Sequence, residues 1–306
     1  MAKYVVTGGA GFIGSHLVEA LSGDCDVVVI DNLHTGSPEN LKGLPVELVV
    51  DRARAVSNVN NCECIFHLGI PSSSPMYKEN PALVSAALED WIAVLEHAKR
   101  TGAKVVLAGT SSVYNGNPLP YREDMPVYVK DFYTETRYTM ERLGKLYSEL
   151  YGVEVVVLRL FSVYGEKEEH KGRYANLVSQ FTWAILKEER PVIYGDGTQT
   201  RDFIYVKDVV EAFLLAEKRS FSFEIFNVGT GKNYTLNQLV NMINEELNKD
   251  VKPVYVKNPI KNYVYHTLAD TSKAEYKLGF KAKTTLKEGI RKVVEYYKKR
   301  FKTSLQ

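Results

Sequence analysis

Short apolar runs separated by helical patterns set the plan of this chain. Val5-Val6 breaks off at Gly8, and Leu17, Val18 and Leu21 then follow at helical spacing. Further runs stand at Val27-Val28-Val29-Ile30, at 46–50, at Cys64-Ile65-Phe66-His67-Leu68, at Val105-Val106-Leu107-Ala108, at 153–160 and at Ile225-Phe226-Asn227-Val228. Such short valine- and isoleucine-rich runs read as strands covered on both faces. Between them, Val84, Leu88, Trp91, Leu95 and Ala98 recur at helical spacing until Gly102 stops the pattern. A helix beginning near Tyr133 sets Tyr133 and Arg137 one turn apart on one face, with Met140, Leu143 and Tyr147 on the packing side. Strands alternating with helices predict an α/β fold with a doubly wound parallel sheet of Rossmann type.

The character of the chain changes after Gly165. The charge run Glu166-Lys167-Glu168-Glu169-His170-Lys171-Gly172-Arg173 reads as a solvated excursion. Residues 174–204 predict a helix followed by a strand and turn around 191–197. From Tyr234 onward the pattern is helical with short extended pieces, and it ends in a basic amphipathic helix. The expected division is a nucleotide-binding part over 1–165, rejoined at about 205–230, and a smaller C-terminal lobe built from 166–204 and 231–306 that caps the strand ends.

Composition narrows the classes. The 306 residues are 45% hydrophobic and 25% charged, enough for one large domain or two modest ones. Lys and Arg number 39 against 37 Asp and Glu, spread along the chain, so nothing points to nucleic acid or an anionic membrane as partner. No apolar run approaches the roughly 18 residues that span a bilayer. Met1-Ala2-Lys3 leads straight into the first strand, so a cytoplasmic protein is expected. Cys25, Cys62 and Cys64 are read as reduced, buried thiols, and the Cys62-x-Cys64 pair lacks the second ligand pair of a metal site.

The candidate chemistry begins at Thr7-Gly8-Gly9-Ala10-Gly11-Phe12-Ile13-Gly14, three glycines three residues apart between a strand and a helix. Gly8 allows the tight turn, Gly11 lets the backbone approach a pyrophosphate, and Gly14 lets the helix pack on the sheet. Asp31, about 20 residues beyond the glycines, closes the second strand where a carboxylate binds adenosine ribose hydroxyls. A 2′-phosphate would meet Asp31 with like charge, which favours NAD over NADP. Phe12, Ile13, Asn32, Asp51, Arg52, Leu68 and Gly69 complete the loop and strand-end positions expected to touch the cofactor.

Taken in order, these segments resemble the extended short-chain dehydrogenase/reductases, and among them the UDP-galactose 4-epimerase-like enzymes. The markers are the glycine loop, Asp31-Asn32-Leu33, Phe66-His67-Leu68, Thr110-Ser111-Ser112-Val113-Tyr114, Leu158-Arg159-Leu160-Phe161-Ser162-Val163-Tyr164-Gly165, Tyr194-Gly195-Asp196-Gly197-Thr198 and Arg201-Asp202-Phe203-Ile204-Tyr205-Val206. The resemblance spans nearly the whole chain. It implies a seven-stranded nucleotide-binding domain, a small nucleotide-sugar-binding lobe, and a homodimer formed through two long helices, here those near 83–100 and 133–151. It also implies a reaction in which NAD takes a hydride from sugar C4 and returns it to the other face of the 4-keto sugar. By the same resemblance Tyr133 removes the C4 hydroxyl proton and Thr110 hydrogen-bonds that oxygen.

The departures carry equal weight. The family's Tyr-x-x-x-Lys reads Tyr133-Thr134-Glu135-Thr136-Arg137 here, so Arg137 is expected to activate Tyr133 and to meet the nicotinamide ribose with changed geometry. Lowering a tyrosine pKa from about 10 to near 7 requires about 4 kcal/mol. One cation about 5 Å away supplies roughly 3 of these at an effective dielectric near 20. Ala87 replaces an Asn near the cofactor, Gly69-Ile70 replaces two small residues, and Ser162 replaces an Asn near the nucleotide phosphates. Arg201, Asn176 and Leu177 match residues near the substrate diphosphate. The family's second basic residue is missing from Ile260-Lys261-Asn262-Tyr263, where Lys261 is the candidate substitute. Dehydratases of this fold carry Asp-Glu after the Thr, where this chain has Ser111-Ser112. The leading reading is therefore an NAD-dependent 4-epimerase of a UDP-hexose. The alternatives are a dehydratase or decarboxylase of the same fold, or an NAD-binding protein with little activity.

Overall fold

The apolar runs become the strands of one parallel sheet in the computed structural model, which describes residues 3–303. Met1 and Ala2, the basis for expecting no leader, lie outside the described residues. In chain order the first half reads β1 (Lys3–Thr7), α1 (Phe12–Leu21), β2 (Asp26–Ile30), β3 (Glu47–Val49), β4 (Cys64–His67), α2 (Ser74–Glu79), α3 (Leu83–Thr101), β5 (Lys104–Thr110), α4 (Phe132–Tyr151) and β6 (Val155–Leu160). The second half reads β7 (Ser162–Tyr164), α5 (Leu177–Leu186), β8 (Val192–Tyr194), β9 (Thr200–Arg201), β10 (Phe203–Tyr205), α6 (Val206–Lys218), β11 (Phe223–Val228), β12 (Tyr234–Thr235), α7 (Leu236–Leu247), β13 (Val254–Val256) and α8 (Leu286–Thr303).

Seven strands pair in the order β11-β6-β5-β4-β1-β2-β3, and every pairing is parallel. The order reverses at β1, so the C-terminal ends of β1 and β4 diverge and leave a crevice for ligand. Period-two alternation divides the strand residues between two cores. Val6, Val29, Phe66, Val106 and Leu158 pack with Leu17, Val18, Val209 and Phe213 under α1 and α6. Val5, Val28, Ile65, Val105 and Val157 pack with Trp91, Leu95 and Met140 under α3 and α4. Each fully buried side chain of this size contributes about 1.5–3 kcal/mol relative to exposure.

A third core joins Val178, Phe181 and Ile185 of α5 to Leu239, Val240 and Ile243 of α7 and to Ile290, Val293 and Tyr297 of α8. It reaches the sheet through β10, which pairs in parallel with β7 just beyond β6. Beneath the C-terminal end of β5, Arg159 and Glu141 form a buried fork, with Nε to Oε1 at 3.0 Å and Nη2 to Oε2 at 2.6 Å.

The charge run after Gly165 is solvated only in part: His170, Gly172 and Arg173 are exposed, but the rest is drawn into the fold. Glu168 has no exposed surface, Glu166 accepts from the Tyr205 hydroxyl at 2.8 Å, and Lys167 reaches Glu19 on α1 at 3.3 Å. The segment packs between α1 and α8, which supply partners from more than a hundred residues away.

Candidate active site

One cleft of about 1030 Å³ runs along the C-terminal ends of the central strands. Its far wall is made by the start of α5, Arg201 and the segment 259–264. The glycine loop forms one end. Gly8 has φ +70°, and a Cβ there would stand 2.7 Å from the Gly69 backbone, so only glycine allows β1 and β4 to turn this closely. A Cβ on Gly14 would lie 2.1 Å from the Gly8 carbonyl oxygen, which packs α1 directly on the loop. No side chain caps α1, so its first amides point at the cleft with their partial positive charge.

Asp31 is buried at the end of β2, with Oδ2 accepting from Ala10 N at 3.0 Å and Oδ1 from Leu33 N at 2.8 Å. The carboxylate thus fixes the glycine loop and the turn after β2 while still lining the cleft beside Asn32. Burial raises its pKa, and the bonds from Leu33 and Ala10 oppose that rise. These features fit a dinucleotide: a cradle without side chains, open helix amides and a carboxylate at the second strand end.

Thr110, Tyr133 and Arg137 all line the cleft. Thr110 ends β5, and its hydroxyl oxygen accepts from Ser112 N at 3.2 Å, which leaves its own proton to donate. Tyr133 stands in the first turn of α4, anchored because the Asp131 side chain accepts from Thr134 N at 2.8 Å and from Ser74 Oγ at 2.5 Å. Tyr77 of α2 backs the Tyr133 ring at 5.7 Å between centroids, and burial pushes the Tyr77 phenol up to about 12. Arg137 is buried, donating from Nη1 to the Ala108 carbonyl at 2.8 Å and from Nη2 to the Pro71 carbonyl at 3.3 Å. Its guanidinium carbon lies 5.3 Å from the Tyr133 ring centroid. His67 lies beneath this cluster, paired through Nδ1 with Thr7 Oγ1 at 2.8 Å and stacked on Trp91. Burial, and then the Arg137 charge, push it down to about 3.

On the opposite wall Arg201 donates from Nη1 to the carbonyls of Thr200 at 2.9 Å and Tyr265 at 3.0 Å, with its guanidinium over the Tyr263 ring. Asn176 caps α5 through its side chain and lines the cleft, as do Ser162 and Lys261. The lining holds six Lys or Arg against three Asp or Glu, and those acids are engaged: Asp31 and Asp131 as above, Glu79 by Arg173 at 2.7 Å and Tyr174 at 2.9 Å. The balance favours anionic ligands.

Gly8, Gly11, Phe12, Ile13, Gly14, Asp31, Asn32, Leu68, Gly69, Thr110, Tyr133, Arg137, Ser162, Asn176, Arg201 and Lys261 therefore share one cleft. Three expected contacts lie elsewhere. Asp51 and Arg52 do not line it, because Arg52 turns onto α3, giving Nη2 to Glu89 at 2.7 Å and to the Ala86 carbonyl at 2.8 Å. Leu177 packs against the core of α5, α7 and α8. Ala87, at the position of the family's Asn, is buried in the core under α3. Sequence reasoning missed Ser73, Lys78, Tyr128, Lys130, Lys171 and Tyr174, which all line the cleft. Of these only Lys171 had a local signal, the charge run it belongs to.

Residues 4–229 match the model of the NAD dependent epimerase/dehydratase family. In structure the chain is similar to UDP-N-acetylglucosamine 4-epimerase from Methanobrevibacter ruminantium in complex with UDP-N-acetylmuramic acid, at TM-score 0.93 and 32% identity over 98% of this chain and 99% of that one. It is similar to UDP-glucose 4-epimerase from Thermotoga maritima with UDP-glucose, at TM-score 0.91 and 33% identity over the same shares. In sequence it is 34% identical to UDP-glucuronic acid decarboxylase 1 of Arabidopsis thaliana, over 97% of this chain and 70% of that protein. With this match, these relatives and an NAD-type cradle beside a Thr and Tyr cluster, the chain belongs to the NAD-dependent epimerase/dehydratase family of nucleotide-sugar enzymes.

Proposed function

We propose that this protein inverts C4 of a nucleotide-linked hexose of the UDP-glucose/UDP-galactose type. The observation that carries this reading is one cleft that Thr110, Tyr133 and Arg137 line together with a dinucleotide cradle and Arg201. Bound NAD supplies a hydride acceptor that returns the hydride within the same turnover. The chain supplies the proton chemistry and the positioning. Tyr133 takes the proton of the C4 hydroxyl through its phenolic oxygen, and Thr110 hydrogen-bonds the sugar's C4 oxygen. Arg137 presents positive charge to the ring face of Tyr133 and ties the end of β5 to the loop after β4 through Ala108 and Pro71. Gly8, Gly11, Phe12, Ile13, Gly14, Asp31 and Asn32 hold the dinucleotide. Arg201 and Asn176 hold the sugar nucleotide's diphosphate, with Ser162 beside them.

Ser111 and Ser112 give the position after Thr110 no carboxyl acid or base, which argues against elimination of water from the sugar. Ile92 of α3 and Leu146, Leu150 and Tyr151 of α4 are 43%, 47%, 67% and 51% exposed, an apolar face suited to pairing with a second copy of the chain. The test of function is incubation of the purified protein with UDP-galactose and no added cofactor, followed by separation of UDP-glucose. Formation of UDP-glucose supports the reading. Retained NAD with no turnover of any nucleotide sugar replaces it with a binding protein.

A further inference from the structure

Glu168 is a fully buried carboxylate held by three partners. Its Oε2 accepts from Ser179 Oγ at 2.6 Å. Its Oε1 accepts both the Asn176 backbone N–H at 2.7 Å and the Lys171 ammonium at 2.8 Å. Because two donors converge on one oxygen, the Lys171 ammonium is held beside Asn176, in the same wall of the cleft. From there it also lies 5.3 Å from the centroid of the Phe12 ring, at the head of α1. Lys171 thus stands where the cofactor cradle and the far wall come together. Its side chain is 17% exposed. An ammonium carries three donors, and Glu168 takes one of them.

We propose that Lys171, oriented by Glu168, is the second cation on the diphosphate of the nucleotide sugar, the role for which Lys261 was the sequence candidate. The inference rests on the nucleotide-sugar reading of the cleft. A diphosphate ester brings two negative charges, and Arg201 answers one. Lys261 is exposed on the segment 259–264, so it must be immobilised from solvent when ligand arrives. Lys171 is already held by a carboxylate that is itself shielded from water, and it lines the cleft. A buried carboxylate is costly unless paired and hydrogen-bonded. Placing it behind Lys171 gives that cost a use, since it aims the ammonium at the ligand. Glu168 is accordingly a positioning residue, and Lys171 a ligand-touching one.

Calorimetric titration of the purified protein with UDP, and separately with NAD, tests this without turnover. Lys171→Gln removes the charge and retains a hydrogen-bond donor for Glu168, while Lys171→Met removes both. Both variants are expected to weaken UDP binding tenfold or more and to change NAD affinity less than threefold. Lys171→Arg is expected to recover most of the loss. Lys261→Met is expected to cost less than threefold. Glu168→Gln should weaken UDP binding at an unaltered NAD affinity, raising KM for a UDP-sugar with kcat little changed. Native UDP affinity in Lys171→Gln overturns the inference. So does a loss of NAD affinity equal to that of UDP, which would assign Lys171 to the cradle, or a larger loss in Lys261→Met. A protein that binds UDP through Lys171 but epimerises nothing refutes the proposed function and leaves this inference standing. One that epimerises UDP-galactose and binds UDP normally as Lys171→Gln does the reverse.

Discussion

Arg137 approaches the Tyr133 ring face at 5.3 Å while its Nη1 is bound to the Ala108 carbonyl at 2.8 Å, so the cation cannot swing away without breaking a buried hydrogen bond. Tyr133→Phe is expected to abolish epimerisation of UDP-galactose while NAD stays bound. Arg137→Lys keeps the charge and substantial activity, though a lysine replaces the two-pronged grip on Ala108 and Pro71 by a single donor group. Arg137→Met, which removes the charge and both carbonyl bonds, is expected to lose most of the activity that Arg137→Lys keeps. A Tyr133→Phe protein as fast as the native one would defeat the assignment.

Asp31 is expected to set cofactor choice. Its two oxygens organise Ala10 and Leu33, and its charge opposes a 2′-phosphate. Asp31→Ala should weaken NAD binding by roughly 1.5–3 kcal/mol, tenfold or more, and narrow the gap between NAD and NADP. Fluorescence titration with both cofactors reads this out, and tighter binding of NADP by the native protein would contradict it.

Arg201 is fixed by two carbonyls and a tyrosine ring. Losing one charge-assisted contact to a diphosphate costs about 1.5–3 kcal/mol, so Arg201→Ala should raise KM for a UDP-sugar about tenfold or more. Tyr263→Leu, which removes only the supporting ring, should raise it less. Unchanged KM in Arg201→Ala would remove this residue from the substrate site.

Acid sensitivity follows from two buried histidines. His16 is pushed down to about 4, chiefly by burial and then by Lys207 and Lys167 against the opposing Glu166 carbonyl bond and Glu19, and His67 to about 3. Both are neutral in the fold, whereas the unfolded chain binds their protons below about pH 6.5. The unfolded state therefore holds more protons between those values, and stability falls as pH falls from about 6.5 toward 4. At pH 5 each histidine accounts for about 2 kcal/mol of loss. Thermal melting at pH 7 and pH 5 checks this, and His16→Gln should flatten the dependence.

The exposed face of α3 and α4 predicts a dimer in sedimentation equilibrium, and Leu150→Glu is expected to shift it toward monomer without loss of fold. A native monomer at micromolar concentration would leave Ile92, Leu146 and Leu150 unexplained.

The sheet and its flanking helices were legible because their signals are local. Period-two and period-3.6 patterns in Val5, Val28, Trp91 and Leu95 report which face of an element is covered, and they hold whatever the partner is. The glycine loop and Asp31 were legible for the same reason, since a turn and the strand end beside it are fixed by neighbours in sequence. Thr110, Tyr133 and Arg137 were picked out by short motifs whose spacing already places them at a strand end and on one helix face.

Contacts between distant segments had no such signal. Whether Arg52 turned to the cleft or to α3 depended on Glu89 and Asp90, carried by another helix. The run from Glu166 to Arg173 reads as solvent-facing by composition, yet Ser179 and the hydroxyl of Tyr297, 129 residues beyond Glu168, make a buried site for it. The sequence by itself determined the strands, the helices, the cradle and the candidate chemistry, because backbone preference and amphipathic period act over a few residues. Tertiary structure alone decided which charges are buried, which cations line the cleft and that Lys171 is among them, because desolvation and pairing depend on what the fold brings within about 4 Å.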